Sequence, residues 1–565
     1  MPLPGRRLAP FFCLGFLVLS VALGVLLTVL LTRRDGPHHC LPPRYASAAV
    51  AADTRTCSQV GRDLLRAGGS AVDGAIGSLV CTSVLNPQSM GLGGGVIFTI
   101  YDAQKGDVKV INARERAPQN FPQNLLNQCH DGLLPGPQWV AVPGELRGYQ
   151  EAHRRYGKLP WKALFEPTIQ ILRSGTRISS VLNRFLNHTA LHSALERSSL
   201  RKLFVDERGN FLGSGDLLRW PSLIRTLQAV AENGADEFYL GETAKKMVQD
   251  VQKEGGNLTL EDLRNYNVSV RDAIKSELKE YSIYSAPRPA AGPILFFILN
   301  ILKEFNFTKD TKKAEAYHYI AEALKFANGQ KVKLDDPDFS NITEDVLEEL
   351  ISDRFAHEVR KRIDARGDHP LAHYAKANLP RSGPFGTSHV AAVDQEGNAA
   401  SATSTINHPF GSMVYSAQTG IILNNEMADF CMKQSQRKIS PGEMPPSSMV
   451  PSVLLSKGRE AVLTIGGSGG TLIIPAVVQA IANTLWLGEE LDAAIEAPIL
   501  YADTKNNAIR VESTFDQGTL SLLGAKGHNV SVRPLMLNVV QGISRDGPCL
   551  FPYSDRRKNG EASGY

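Results

Sequence analysis

One threonine stands where a turn-rich loop gives way to a strand-like segment. Residues 382–386 are rich in glycine and proline. From Thr387 the chain alternates, breaks at 394–398 and alternates again, which predicts a hairpin beginning at this threonine. Cutting the Gly386–Thr387 bond would give Thr387 a free α-amine, with a pKa near ~8, that can accept the hydroxyl proton. The pattern fits a threonine nucleophile released by cleavage, and it also fits an ordinary loop end.

A second candidate nucleophile is Ser468. Residues 466–470 match G-x-S-x-G between a predicted strand and a predicted helix, which is the setting of the nucleophile in α/β-hydrolases. His528 is the single histidine later in the sequence, so the order of a catalytic triad can be satisfied. The same turn has another possible use. Backbone amides of Gly469 and Gly470 near the helix start could form an oxyanion hole.

Three charged residues have spacings that suit a binding site. Arg114 directly follows a predicted strand at 108–112, and a guanidinium can bind a carboxylate through two parallel hydrogen bonds. Glu426 and Asp429 are three residues apart, so a helical turn would place both carboxylates on one side. From the pattern alone, a surface ion pair and a solvated acidic turn are the competing interpretations.

The elements expected around these residues are helices and strands in alternating blocks. Two helices within 60–85 are broken at Gly68, and strands are expected at 96–101 and 108–112. The middle third, 160–363, is predicted to be mainly helical, and strands dominate after Thr387. Apolar spacing of three and four residues predicts helices at 167–172, 223–232, 242–254, 314–326 and 473–487. Such an arrangement predicts a layered α/β sandwich.

The N-terminal region predicts a membrane anchor. Residues 8–32 carry no charge, which is long enough for a bilayer core of about 30 Å, and no small-residue cleavage site follows. Arginines flank both ends, so orientation rests on six Asn-x-Ser/Thr sequons, which favour an extracellular body. These sequons lie at Asn187, Asn257, Asn267, Asn306, Asn341 and Asn529. We therefore predict a single-pass type II plasma-membrane protein that contacts the membrane through this helix.

Charge and cysteine content exclude several classes of function. The net charge of +4 over 565 residues gives no support for nucleic-acid binding. No cysteine or histidine spacing matches a metal site. Residues 91–95 lack the last glycine of a dinucleotide loop. Spacing does not fix the partners of the seven cysteines.

Many sequence blocks resemble gamma-glutamyltransferases, in the right order from about Ser47 to the last residue. The blocks before Thr387 are Ala49-Val-Ala-Ala-Asp53, Gly68-Gly-Ser-Ala-Val-Asp73, Ser89-Met-Gly-Leu-Gly-Gly-Gly95, Ile111-Asn-Ala-Arg-Glu115 and Val142-Pro-Gly-Glu-Leu-Arg-Gly148. Those after it are Ser404-Thr-Ile-Asn407, Asn424-Asn-Glu426, Pro446-Ser-Ser-Met449 and Gly560-Glu-Ala-Ser-Gly-Tyr565. The resemblance implies an N-terminal-nucleophile (Ntn) hydrolase, an α/β fold of four αββα layers that cleaves itself into two associated subunits.

The resemblance also implies two subunits and a set of site residues. With the cytoplasmic tail 1–7 and the signal-anchor 8–32 predicted from the apolar run, the domains are completed by a large subunit 33–386 and a small catalytic subunit 387–565. Cleavage falls between Gly386 and Thr387. The implied catalytic residues are Thr387, Thr405, Gly469 and Gly470, and the implied substrate-binding residues are Arg114, Asn407, Glu426, Asp429, Ser447 and Ser448. Cys57 and Cys81 are implied to form a disulfide, and no cofactor or metal is required.

The implied substrates are small γ-glutamyl peptides, namely glutathione, its S-conjugates and leukotriene C4, which would become leukotriene D4. Water or an amino acid or dipeptide would accept the acyl group. One departure from the family pattern is His408-Pro409-Phe410 in place of a Leu-Tyr-Phe run, which suggests a preference for bulky S-conjugates. The alternatives are an inactive ectodomain acting in adhesion or as a receptor, and a Ser468 hydrolase.

Overall fold

The hairpin expected at Thr387 is present, and it lies in the middle of a sheet. In the computed structural model, Ser388–Val393 pairs antiparallel with Ala399–Thr405. The structure describes residues 40–374, 386–432, 438–503, 506–533 and 539–565. It divides into two units, Met1–Pro42 and Pro43–Tyr565. The elements below all belong to the second unit.

Most strands belong to two large antiparallel sheets. The strands of the described residues are β1 Ala49–Ala51, β2 Gly95–Asp102, β3 Asp107–Ala113, β4 Thr176–Arg177, β5 Leu217–Leu218, β6 Ser269–Asp272, β7 Ile274–Leu278, β8 Tyr281–Ser285, β9 Ser388–Val393, β10 Ala399–Thr405, β11 Tyr415–Ser416, β12 Ile421–Ile422, β13 Ser452–Ser456, β14 Ala461–Ser468, β15 Leu500–Ala502, β16 Ile509–Val511, β17 Val530–Val532, β18 Val539–Asp546, β19 Cys549–Ser554 and β20 Ser563–Gly564. One sheet has the order β20-β1-β9-β10-β2-β3-β6 and the other β19-β18-β14-β13-β8-β7.

Helices cover the outer faces of both sheets. They are α1 Arg55–Arg66, α2 Ala71–Leu85, α3 Glu145–Tyr156, α4 Glu166–Ser174, α5 Ser180–Leu186, α6 Thr189–Glu196, α7 Pro221–Asn233, α8 Asp236–Tyr239, α9 Glu242–Lys253, α10 Leu260–Arg264, α11 Gly292–Leu302, α12 Lys313–Asn328, α13 Glu344–Leu350, α14 Asp353–Arg360, α15 Leu371–Tyr374, α16 Ile473–Leu485, α17 Leu491–Glu496 and α18 Gln517–Ala525. Short 3-10 helices at Glu426–Met432 and Gly470–Leu472 belong to the site.

The hydrophobic core forms three layers. Val390 and Ala392 of β9 pack with the helices beside the first sheet, whereas Ala391 and Val393 face the second sheet. This alternation follows from the two-residue repeat of a strand. Residues of α11, α12 and α16 pack on the far side of the second sheet. The layer order is therefore helix, sheet, sheet, helix, and every residue of β9 and β10 is buried.

Local signals fix the boundaries of the first two helices. Thr54 caps α1, and Ser70 forms a capping box with Asp73 at the start of α2, a pattern that satisfies the first free backbone amides of a helix. Gly68 between them has a φ of +94°, which a residue without a side chain adopts at no steric cost. The predicted break within 60–85 is thus observed.

The middle third contains strands that the sequence analysis missed. Strands β6, β7 and β8 lie within the region predicted to be mainly helical, and β8 pairs with β13 in the second sheet. These strands are short and partly exposed, so they lack the long apolar alternation by which β9 and β10 were predicted. Tertiary pairing decides their conformation.

The predicted localisation needs correction. Among the described residues, no helix is long and apolar enough to cross a membrane, and the longest α-helix there, α12, has 16 residues, against about 20 for a bilayer core. The prediction of a single-pass type II plasma-membrane protein is therefore contradicted. Residues 8–32, on which it rested, lie outside the described part of the chain.

Candidate active site

Thr387 lies directly against the peptide bond that is predicted to be cut. Its hydroxyl donates to the carbonyl oxygen of Gly386 at 2.5 Å. Thr405, at the end of the neighbouring strand β10, donates to the same oxygen at 2.8 Å, and the two hydroxyl oxygens are 3.3 Å apart. Both threonines are buried. The hairpin thus places a nucleophile and a hydrogen-bond donor at one carbonyl group.

Asn407 connects these threonines to the acidic residues. Its backbone N–H donates to Thr405 Oγ1 at 2.8 Å, and its side-chain amide donates to Asp429 Oδ1 at 3.1 Å. Asn407 has a φ of +72°, a conformation that asparagine tolerates better than most residues. The turn after β10 therefore aims this amide toward the 3-10 helix Glu426–Met432.

Arg114 lies at the opposite end of the same network. Its guanidinium is 2.5 Å from Glu426 Oε1 and 2.6 Å from Asp429 Oδ2. Residues three apart align on a 3-10 helix, which explains why both acids reach one guanidinium. Arg114 and Glu426 are each about 1% exposed, and the Asp429 side chain is 15% exposed. The cluster therefore meets solvent at Asp429.

Burial without enough cations shifts the protonation of this cluster. Burial raises the pKa of Glu426 well above its ordinary value and that of Glu115 to about 7, although Arg114 opposes both shifts. Glu115 lies 3.9 Å from the Arg114 guanidinium. A second cation arriving here would favour ionisation of all the carboxylates. The carboxylates of this cluster can therefore bind a further cation in addition to Arg114.

The two serines predicted to bind substrate lie beside Arg114. The guanidinium donates to the carbonyl oxygens of Pro445 and Pro446 at 3.3 and 2.9 Å. Ser447 follows immediately; its N–H donates to Pro289 O, and its hydroxyl accepts from the Met449 N–H. The contacts with Pro445 and Pro446 bring the chain leading into Ser447 next to Arg114.

A buried lysine connects the segment that contains the glycine pair to Thr387. Gly469 and Gly470 have φ values of +113° and +60°, which only glycine adopts in succession without strain. The Lys558 ammonium donates to Ser468 Oγ at 3.1 Å and to the carbonyl oxygen of Thr387 at 2.6 Å. One ammonium therefore contacts both the nucleophile residue and the residue before the glycine pair.

The sequence analysis missed this lysine and its acidic partner. Lys558 is also 3.0 Å from Asp53, and Asp53 accepts hydrogen bonds from Ser388 and Gln541. Asp53 follows the apolar strand β1, so an acid that ends a buried run was the available signal. Lys558 lies in a basic stretch near the last residue, where nothing distinguished it from a solvated lysine.

Comparisons with known proteins show the family to which this chain belongs. Residues 57–565 match the family model described as gamma-glutamyltranspeptidase. The chain belongs to this family. It is 47% identical over 569 residues to glutathione hydrolase 5 proenzyme of Homo sapiens, with 96% of each chain covered. The corresponding protein of Rattus norvegicus is 46% identical over 570 residues, with 98% of each covered.

A solved structure supports the fold. Cephalosporin acylase from Bacillus halodurans superimposes with a TM-score of 0.82 at 26% identity, covering 94% of this chain and 99% of that one. The predicted gamma-glutamyltransferase resemblance and the four-layer Ntn-hydrolase fold are confirmed.

The α/β-hydrolase alternative does not fit a gamma-glutamyltranspeptidase or the observed geometry. Ser468 ends β14 and is followed by the 3-10 helix Gly470–Leu472 and by α16, so the local strand-turn-helix pattern of a nucleophile elbow is present. The histidine partner decides against a triad. His528 is hydrogen-bonded to His318 and Lys325, and Ser468 accepts from Lys558. The serine and the histidine thus belong to separate clusters, so the structure does not support the alternative of a Ser468 triad.

The cysteines and sequons take the following positions. Cys57 and Cys81 form a disulfide between α1 and α2, and Cys129 forms one with Cys431, a pair that spacing could not assign. Cys40 and Cys549 are also disulfide-bonded. Five of the sequon asparagines are exposed, and Asn257 is half-buried.

Proposed function

We propose that this member of the gamma-glutamyltranspeptidase family hydrolyses the γ-glutamyl amide of glutathione through a covalent intermediate on Thr387. The observation that carries the proposal is the continuous set of contacts from Arg114 through Asp429, Asn407 and Thr405 to Thr387. It joins a site for an amino-acid end group to a nucleophile. The similar glutathione hydrolase 5 proenzymes support glutathione as the donor.

A γ-glutamyl donor carries an α-carboxylate and an α-ammonium at one end. Its carboxylate would bind Arg114, together with Ser447 and Ser448, and its ammonium would bind Glu426 and Asp429. Both halves of the existing ion pair are then replaced at once, so no buried charge is left without a partner. Asn407 would orient Asp429 during this exchange.

Self-cleavage would precede turnover. Thr387 Oγ1 attacks the carbonyl carbon of Gly386, and the Thr405 hydroxyl stabilises the developing charge on the carbonyl oxygen. The C–N bond then breaks, the nitrogen takes a proton, and an ester joins Gly386 to Thr387 Oγ1. Water hydrolyses this ester. The products are a large subunit ending at Gly386 and a small subunit whose first residue, Thr387, has a free amine.

The mature enzyme would repeat the same chemistry on the donor. The Thr387 α-amine accepts the hydroxyl proton, and Oγ1 attacks the γ-amide carbonyl. Backbone amides of Gly469 and Gly470 hold the oxyanion, the amine leaves with a proton, and a γ-glutamyl ester remains. Water then releases glutamate, or the amine of an amino acid or dipeptide takes the acyl group. None of these steps requires a cofactor or metal.

Glutathione S-conjugates, including leukotriene C4, are the further donors proposed. The segment His408-Pro409-Phe410 is buried, and Phe410 packs against Phe185 and Phe204. It therefore acts on the site through packing next to Thr405 and Asn407. If it sets donor preference, Pro409→Tyr will change the ratio of glutathione to leukotriene C4 turnover, and an unchanged ratio would refute this assignment.

The deciding experiment is N-terminal sequencing of the purified protein and of Thr387→Ala. We expect a second chain that starts at Thr387 in the parent and a single uncut chain in the variant, which releases no glutamate from glutathione. The control is Asp216→Asn, at an exposed position, and this variant should be cleaved like the parent. An uncut parent without γ-glutamyl release would instead favour the inactive-ectodomain alternative.

A further inference from the structure

The Cys129–Cys431 disulfide joins the two sides of the predicted cleavage site. Cys129 lies before Gly386 and Cys431 after it, 302 residues apart in sequence. Cleavage at Thr387 therefore leaves this bond as a covalent link between the large and small subunits. Association itself does not depend on it, because each of the two large sheets contains strands from both subunits. Its effect must be local.

The local element is the helix that carries the donor-binding acids. Cys431 lies two residues after Asp429, in the 3-10 helix Glu426–Met432. Such a helix has poor intrinsic stability because its hydrogen bonds are strained and it is short. Its position therefore depends on what anchors its two ends.

The beginning of this helix is anchored by polar contacts with the large subunit. Asn424 donates to Gly93 O at 2.8 Å and Ala141 O at 2.9 Å, and Asn425 donates to Leu134 O at 3.0 Å. These bonds precede Glu426 and hold it independently of the disulfide. The end of the helix has a different anchor.

The end of the helix is held by packing and by the disulfide. Phe430 packs in a small apolar cluster with Leu125 and Trp139 of the large subunit, and Cys129 and Cys431 lie at the edge of that cluster. Among the described residues, opening the disulfide would remove the covalent anchor after Asp429 and leave the packing of Met427, Ala428 and Phe430 to hold this end of the helix. Asp429 is the acid that contacts both Arg114 and Asn407, so its displacement would weaken the ammonium site.

The disulfide is also more open to attack than the Cys57–Cys81 disulfide. Cys129 and Cys431 are both half-buried, whereas Cys57 and Cys81 are fully buried. Thiol–disulfide exchange requires access of a thiolate to a sulfur atom. A small thiol in solution therefore reaches Cys129–Cys431 before it reaches Cys57–Cys81.

We propose that the Cys129–Cys431 disulfide is a thiol-sensitive positioning element that holds Asp429 for binding of the donor ammonium. This inference rests on the proposed function. A thiolate attacks one cysteine sulfur, the S–S bond breaks, and the other cysteine leaves as a thiolate and takes a proton. A second thiol then displaces the cysteine from the mixed disulfide. Two thiols are oxidised to one disulfide, and both cysteines are reduced. Glutathione, the proposed donor, is itself such a thiol.

The test compares the parent with Cys129→Ser/Cys431→Ser, using γ-glutamyl-p-nitroanilide, a donor without a thiol. We expect KM to rise roughly threefold to tenfold while kcat changes less than about twofold, since binding and not chemistry is affected. Sequencing must show a normal chain start at Thr387. An unchanged KM in a correctly cleaved variant overturns the proposal. The matched control, Cys57→Ala/Cys81→Ala, should lower the melting temperature and leave KM unaltered.

A second measurement covers the case in which the double variant does not fold. The parent is assayed in graded dithiothreitol, and samples are alkylated for peptide mass mapping. We expect Cys129 and Cys431 to be labelled before Cys57 and Cys81, KM to rise with that labelling, and reoxidation to restore it. Full labelling at an unchanged KM, or labelling of the buried pair first, contradicts the proposal. Electrophoresis is not the readout, because Cys549 of the small subunit is also disulfide-bonded.

If the parent protein releases no p-nitroaniline at all, the proposed function is contradicted instead. The activity of the parent thus tests the proposed function, and the ratio of the KM values of variant and parent tests the role of the disulfide.

Discussion

At the scale of single residues, one carbonyl group receives two threonine hydroxyls. Thr387 and Thr405 both donate to Gly386 O. Only Thr387 is joined to Gly386 by the peptide bond that would be cut. The roles therefore divide into a nucleophile and a donor. This division makes Thr405 a test of self-cleavage that leaves the nucleophile intact.

We expect Thr405→Ala to slow self-cleavage by about 10²–10³-fold, as for loss of one oxyanion donor, and Thr405→Ser to stay near the parent rate. The measurement is the conversion of precursor to two chains on a denaturing gel over time. Ser401→Ala, on the same strand, controls for strand disturbance. Parent-rate cleavage by Thr405→Ala would show that its hydroxyl is not used.

The resemblance supplied candidate site residues but not the contacts between them. Arg114, Glu426 and Asp429 were expected to bind opposite ends of a substrate, and the structure pairs them directly with one another. Sequence spacing carries no information on such long-range pairing. Glu115 was within a quoted block, but its burial beside Arg114 follows only from the way β3 ends under the 3-10 helix.

At the scale of elements, helix α3 places a buried acid behind the nucleophile hairpin. Glu145, its first residue, accepts hydrogen bonds from Ser404 at 2.8 and 2.9 Å and from Tyr149 at 2.5 Å. Burial raises the pKa of Glu145 to about 8, against these hydrogen bonds. The helix thus places beside Ser404, the residue before Thr405, a carboxyl group that favours its protonated form.

This acid predicts a pH-dependent stability. A carboxyl whose folded pKa is raised stabilises the fold fully below its unfolded pKa near ~4.3, and this contribution is lost as pH rises toward about 8. We expect the parent to lose stability between pH 5 and 8, with at most about 1.4 kcal/mol per pH unit from this group. Glu145→Gln should lack that part.

The measurement is the melting temperature at several pH values, for the parent and for Glu145→Gln. Glu261→Gln, an exposed position, is the control and should keep the parent profile. Identical slopes for the parent and Glu145→Gln would mean that Glu145 is ionised in the fold throughout this range.

The elements themselves differed in how far they could be predicted. β9 and β10 followed from alternation around a turn at 394–398, and the break between α1 and α2 followed from the glycine at position 68, whereas their capping residues were not used. β6 to β8 did not, because their partly exposed residues are ordered by pairing with β3 and β13. Local pattern suffices where one chain segment fixes the element, and it fails where a distant partner does.

At the scale of the whole molecule, the predicted subunits are interleaved. In the first sheet, β1 of the large subunit lies between β20 and β9 of the small subunit, and β10 pairs with β2. The core of each layer therefore contains residues from both sides of Thr387. Separation of the subunits would expose these strands and is equivalent to unfolding.

We expect the cleaved protein to elute as one species under reducing conditions, and both subunits to lose structure in a single thermal transition. The measurement is gel filtration with dithiothreitol, followed by melting monitored by circular dichroism and by activity. The uncut Thr387→Ala chain is the control for elution volume. Release of a folded small subunit would contradict the interleaved arrangement.

The pairing of β20 with β1 also sets the order of events during protein synthesis. Ala48 and Tyr565 exchange backbone hydrogen bonds at 3.2 and 3.0 Å, and Lys558 holds the Thr387 carbonyl. A ribosome adds these C-terminal residues after every other part of the sheet. A chain without residues 558–565 would lack both contacts, and we expect it to cut the Gly386–Thr387 bond more slowly. Self-cleavage would then take place mainly after β20 has paired with β1.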